Sequence, residues 1–199
     1  GLLSRESALN EELSRQLLAT TQRNSRITQR NLRVRQQLDA VTRSAAVTGQ
    51  QIEALSGSLL LYRILLEQKG ELPQPRVDSN LADEIGDARL QQFDLNKQRQ
   101  ALADAPAQSV AHLIGVDPEV VHDSQFETRL RDILATRADL LERLTRELGT
   151  LINEMISLQL NEQQLQSTVS ELRDTIDGQM FWIPSSRPFG WNAIKTLPA

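Results

Sequence analysis

Two histidines, His112 and His122, lie close in sequence to Asp117, Glu119 and Asp123, and imidazole with carboxylate is a donor set that can hold zinc. The two rings lack the i, i+4 spacing of a helical ligand pair, and Pro106, Gly115 and Pro118 mark this stretch as a connector. No metal is expected there. Arg23, Arg26, Arg30, Arg33 and Arg35 could instead bind phosphates of a nucleic acid or a lipid headgroup. They lack the interleaved aromatics that stack bases, and they flank an apolar seam, which favours ion pairs between helices. No nucleic acid is expected as a partner. There is no Gly-rich phosphate loop and no Ser in a recognisable nucleophile turn. With no cysteine at all, a thiol nucleophile, a disulfide and a Cys metal site are excluded. No catalytic residue and no cofactor is expected, so the chain reads as a non-enzyme.

The third group is apolar. Residues 181–191 read FWIPSSRPFGW and hold four of the seven aromatic residues, namely Phe181, Trp182, Phe189 and Trp191. Pro184 and Pro188 forbid a continuing helix. Trp and Phe clustered where a helix stops fit a membrane–water interface, where amphipathic rings settle at headgroup level. A hydrophobic plug on a helical bundle is the alternative, and the placement at one end of the chain favours the membrane.

The elements that position these residues are helices. Of 199 residues, 39% are hydrophobic but only 4% aromatic, too few for a sandwich, barrel or doubly wound core. Leu, Gln, Arg, Glu and Ala, all good helix formers, take their place. Residues 2–69 contain no proline and follow a heptad. Its a positions are Leu3, Asn10, Leu17, Asn24, Asn31, Leu38, Ala45, Ile52, Leu59 and Leu66; its d positions are Glu6, Leu13, Thr20, Ile27, Val34, Val41, Thr48, Leu55 and Tyr62. Thirteen of these nineteen are apolar, the signature of a coiled-coil seam. Asn10, Asn24 and Asn31 either fix register from buried positions or mark a loosely packed half. Gly70, Pro73 and Pro75 end this helix, and Asp78 or Ser79 caps a second at about 80–103, carrying Leu81, Ile85, Leu90, Phe93 and Leu102. A third helix, about 124–180, has a seam from Leu130 to Ile176 in which only Arg137 and Glu162 are polar.

Charge suggests how the helices meet. Residues 15–43 hold seven Arg and one acid, Asp39, whereas 149–177 hold Glu154, Glu162, Glu171, Asp174 and Asp177 against one base, Arg173. Complementary flanks set orientation in coiled coils. The expectation is an all-α fold: a long antiparallel coiled-coil hairpin of the first and third helices with Leu66 level with Phe126. The short middle helix would form a local three-helix bundle at the far end. Residues 1–180 form the elongated helical domain and 181–199 the membrane-proximal segment. No run approaches 18 apolar residues, so no transmembrane span is expected. Residues 1–30 lack a signal-peptide pattern, and the chain reads as a piece of something larger. The net charge of −4 excludes a globally basic nucleic-acid binder.

Two stretches, ADEIGDARLQQFDLNKQRQAL at 82–102 and QMFWIPSSRPFGW at 179–191, resemble the periplasmic region of the large, multi-helix branch (MscK/MscM, KefA-like) of the MscS mechanosensitive-channel superfamily. The second is similar to the motif that ends the periplasmic helices of that branch before its membrane helices begin. The resemblance covers about residues 50–199. It implies a non-catalytic, periplasmic structural and regulatory domain of a bacterial inner-membrane channel involved in osmotic adaptation. The implied partners are other channel subunits, and the membrane through segments outside this chain. Exposed heptad faces also allow a homo-oligomer. The alternative is a helical hairpin adaptor that binds other coiled coils at a tip near residues 66–125. A weaker third is a binder of anionic polymers through the arginines.

Overall fold

A computed structural model describes residues 1–104, 115 and 124–182. The chain is all-α among them, with helices α1 (Leu2–Leu55), α2 (Leu59–Glu71), α3 (Leu81–Asp104) and α4 (Ser124–Trp182). The expected first helix, about 2–69, is therefore two. Residue Gly57 takes φ 78°, a left-handed conformation that ends α1 at little cost only because it has no Cβ. Ser58 then caps α2, its Oγ accepting from the Leu61 N–H at 3.1 Å. Leu72 leaves α2 in an extended conformation before Pro73 and Pro75. At the start of α3, Asp78 Oδ1 accepts from the Asn80 N–H at 3.1 Å.

The residues fall into two compact units. The first joins Gly1–Arg35 to the described part of Val77–Glu162, so it contains the front of α1, all of α3 and most of α4. Asn10 donates to the Ile133 carbonyl, Asn24 to that of Glu147, and Asn31 to the Glu154 carboxylate. The sequence separation is 123 in all three bonds, so α1 and α4 run parallel. Helix α3 opposes both, since Arg23 meets Glu84 while Arg30 meets Asp78, and Gln92 donates to the Thr145 carbonyl. The expected antiparallel pairing of the first and third helices is thus corrected. The antiparallel neighbour of α1 is α3 here, and α1 and α4 form the parallel pair of an up-down-up three-helix bundle.

The second unit holds Gln36–Arg76 and α4 from Gln163 to its end. Here α2 folds back on α1 as an antiparallel hairpin. Thr48 Oγ1 donates to Gln68 Oε1 at 2.6 Å, and Gln68 Nε2 donates to Gln51 Oε1 at 2.8 Å. Val41, Leu61, Leu65, Leu165, Val169, Leu172 and Ile176 are buried around them.

All twelve apolar seam positions of α4 are buried. The middle helix differs from expectation: Leu81 is buried as expected, but Ala88 and Leu95 fill its inner face while Leu90 and Phe93 are exposed. The run Arg-Leu-x-x-Phe reads as a core pattern in sequence. Once Leu81, Ala88 and Leu95 set the inner face at seven-residue spacing, however, it falls on the outer side.

Candidate functional site

The most organised polar feature is a seam in the first unit. An apolar heptad should leave its polar members stranded, yet Glu6 and the three asparagines of α1, and both exceptions of α4, find partners on the opposite helix. Arg137, one of the two polar seam residues of α4, donates Nη1 to Glu6 Oε2 at 2.7 Å, Nη2 to the Glu6 carbonyl at 2.7 Å and Nε to Asn10 Oδ1 at 3.1 Å. The Glu6 and Arg137 side chains are 9% and 13% exposed, so this pair is enclosed. Two heptads on, Asn24 Nδ2 reaches the Glu147 carbonyl and carboxylate. One further on, Asn31 donates to Glu154 Oε2 and Ser157 Oγ and accepts from Asn161 Nδ2 at 2.7 Å. Asn10, Asn24 and Asn31 are all buried. Of the two sequence readings, register-fixing asparagine is the one realised.

The other polar seam residue of α4, Glu162, is only 3% exposed and closes the ladder. Arg30 forks between Glu162 at 2.5 Å and Asp78 at 2.9 Å, and Glu162 also accepts from the Asp78 backbone N–H at 3.1 Å. One guanidinium thereby ties α1 to α4 and to the residues that lead into α3. Burial works against the Arg30 charge, but the hydrogen bonds to Asp78 and Glu162 outweigh it and raise its pKa. The bond from Arg30 and that from the Asn80 N–H hold the Asp78 carboxyl below its ordinary value. The arrangement contains no nucleophile beside a base. Among the described residues no group of three or more His, Asp or Glu is placed to hold a metal ion. Its chemistry is specification of helix register and direction.

The structure brings some sequence candidates together and not others. Arg23 pairs with Glu84 and Arg30 with Glu162 and Asp78, while Glu154 accepts from Asn31. Arg26, Arg33 and Arg35 are exposed and meet no acid among the described residues. Exposed Glu171 accepts within its own helix from Ser167, and exposed Asp174 meets no base among the described residues. The expectation that residues 15–43 face 149–177 thus holds for part of that length, around Arg23, which donates to Met155 Sδ at 3.8 Å, and around Arg30 and Asn31. The reason is that the parallel offset carries the earlier α1 residues to 137–147 instead. Sequence reasoning passed over the Glu6–Arg137 pair, although its signal was available: each is a polar intruder in its own apolar stripe. Phe181 and Trp182 are 83% and 79% exposed and stack edge to face at 5.9 Å. Pro184, Phe189, Trp191, His112 and His122 lie outside the described residues. No described helix is long and apolar enough to cross a membrane.

No protein-family model matches the chain. Over 201 residues it is 35% identical to the mechanosensitive channel MscK of Escherichia coli, an alignment covering 99% of this chain and 17% of that protein. It is 29% identical over 196 residues to an uncharacterized MscS family protein of Haemophilus influenzae, 98% of this chain and 18% of that protein. Against the miniconductance mechanosensitive channel MscM of E. coli the identity is 27% over 187 residues, 92% of this chain and 15% of that protein. The chain spans about a sixth of the length of the curated relatives it matches.

Proposed function

Because the chain is homologous over nearly its whole length to a segment of MscS-superfamily mechanosensitive channels, we propose that it is a non-catalytic, extracytoplasmic domain of such a channel subunit. It stands in the periplasm, and its 181–199 end faces the inner membrane. The carrying observation is the match along 99% of the chain to MscK. The exposed Phe181 and Trp182 at the end of α4 support the orientation. The bundle contributes a register-locked helical body through which the channel meets its neighbouring subunits and the osmotic state of its surroundings. The parallel α1–α4 bonds count against the hairpin-adaptor reading, which supposes that the first and third helices run antiparallel.

The test is topological. The chain has no cysteine, so Leu18→Cys in the full-length protein that carries it, with other cysteines removed, gives a single exposed thiol. A membrane-impermeant maleimide should label it in intact cells with a permeabilised outer membrane. Labelling only after the inner membrane is lysed would overturn the periplasmic placement.

A further inference from the structure

The second unit presents more apolar surface at one end than its aromatic residues alone. Lys69 and Asp177 form an ion pair that marks one level across α2 and α4. Helix α4 advances from Glu162, bonded to Arg30, to Asp177, so it keeps step with α1 while α2 runs against both. At about 1.5 Å per residue, Trp182 lies roughly 7 Å past the ion-pair level, and Leu60 and Leu59 lie roughly 14 Å past it in the same direction. Leu59 and Leu60 are 58% and 55% exposed. No charge occurs from Ala54 to Tyr62, nor from Gly178 to Trp182. Two other exposed leucines keep charged company, Leu32 beside Arg33 and Leu66 beside Arg63 and Glu67, whereas Leu18 and Leu160 stand singly between uncharged neighbours.

The turn also pairs part of its own backbone through Ser58. Ser58 N–H and Oγ–H both donate to the Leu55 carbonyl, at 3.0 and 2.8 Å, and Ser58 Oγ accepts from the Leu61 N–H. A loop that leaves water must do this, because unpaired peptide groups are costly in lipid. We propose that the α1–α2 turn is a second membrane contact, with Leu59 and Leu60 entering the headgroup region of the bilayer that Phe181 and Trp182 face. The inference rests on the membrane-proximal reading of the aromatic end, and it makes that attachment two-point: a helix end and a hairpin turn on one lipid surface.

The test uses this chain with vesicles of phosphatidylcholine and a minority of phosphatidylglycerol. In a Trp191→Phe background, Trp182 is the sole tryptophan and reports the aromatic end. A bimane on Leu60→Cys reports the turn, and one on Leu18→Cys serves as the control. With brominated lipid, Trp182 and the Leu60 probe should both be quenched and blue-shifted while the Leu18 probe is not. Quenching of Trp182 with a Leu60 probe that behaves like the Leu18 control would overturn this inference and leave the aromatic end at the membrane. Quenching of neither would overturn both. Leu59→Glu with Leu60→Glu should lower vesicle partitioning about tenfold, the equivalent of two partly buried leucines, with helix content unchanged. Equal partitioning would overturn the contact.

Discussion

The two units solve the problem of three helices side by side in different ways. In the first, the interface of α1 with α4 is studded with polar residues, Glu6, Asn10, Asn24, Asn31, Arg137 and Glu162, and each meets a partner of fitting chemistry. In the second, the polar contacts are few, with Thr48, Gln51 and Gln68 joining α1 to α2 and the Lys69–Asp177 pair at the surface. Direction there is set covalently, because a three-residue turn leaves α2 no choice but to run back along α1. The difference shows where polar side chains are needed. Two helices joined by a tight turn have their orientation fixed by the chain, whereas α1 and α4, far apart in sequence, could slide by a heptad or reverse. Buried polar pairs penalise each wrong register by leaving groups unsatisfied.

The sharpest way to break this comparison is at Arg137. Arg137→Met strands the Glu6 carboxylate and the Asn10 amide oxygen in a closed site, and loss of one partner of a buried pair costs about 3 kcal/mol. A thermal or urea melt should show it. Glu6→Leu combined with Arg137→Leu should recover most of the loss, since an apolar pair of similar volume suits the site. A double variant as unstable as the single would mean the bonds do more than satisfy each other.

In the second unit the comparable weak point is the turn. Gly57→Ala forces a Cβ into the left-handed region at a cost of about 1–2 kcal/mol, and Ser58→Ala removes the α2 cap for about 1 kcal/mol. Amide hydrogen exchange should show both as lost protection in α2. If Gly57→Ala is neutral, the turn is not what directs α2.

These same residues explain what the sequence could and could not reveal. Helix content, the seam of α4 and the inward positions of α1 were legible, because a heptad of leucines is a direct imprint of burial. The break at residues 56–58 was not, although Ser-Gly-Ser is a stop signal followed by a cap, because Leu55, Leu59, Tyr62 and Leu66 keep the heptad phase through the turn. That phase misleads in α2, where Leu59 and Leu66 are exposed and Leu61 and Leu65 are buried instead. Orientation was misread for a related reason. Stepping back along α1 from Leu66 and forward along α4 from Phe126 brings Arg30 opposite Glu162, the very pair that the parallel arrangement also makes. Net charge over long windows cannot tell the two apart. The discriminating contacts were single residues, Glu6 with Arg137 and Asn24 with Glu147, that summed charge averages away.

A smaller effect sharpens the role of the Arg30 fork. The Asp78 carboxyl titrates below its ordinary value because Arg30 and the Asn80 N–H favour its charged form. A depressed folded-state pKa adds stability above the unfolded-state value, and that stability is lost as pH falls through the folded one. Asp78→Asn should therefore be less stable than the parent at neutral pH by under about 1 kcal/mol, as befits a partly exposed pair. The gap should close as the solution is acidified below the carboxylate range. A gap that persists in acid would assign Asp78 a packing role instead of an electrostatic one.

The smallest expected effect has the opposite sign. Thr145, on the buried side of α4 in the first unit, has a hydroxyl with no hydrogen-bond partner, although its carbonyl accepts from Gln92. It is the exception in an interface where nearly every other buried polar group is paired. A buried hydroxyl without a partner carries its desolvation cost with nothing to offset it, and valine has nearly its shape. Thr145→Val should stabilise the chain by about 0.5–1 kcal/mol. Asn24 provides the control, because its Oδ1 is likewise unpaired but its Nδ2 holds Glu147. Asn24→Leu removes one unsatisfied atom together with two hydrogen bonds, so it should gain little or lose. If both variants gain equally, the Asn24–Glu147 bonds contribute nothing to stability and serve register alone. If Thr145→Val loses, the hydroxyl has a partner in solution, and the first unit's polar seam is more complete than its direct contacts indicate.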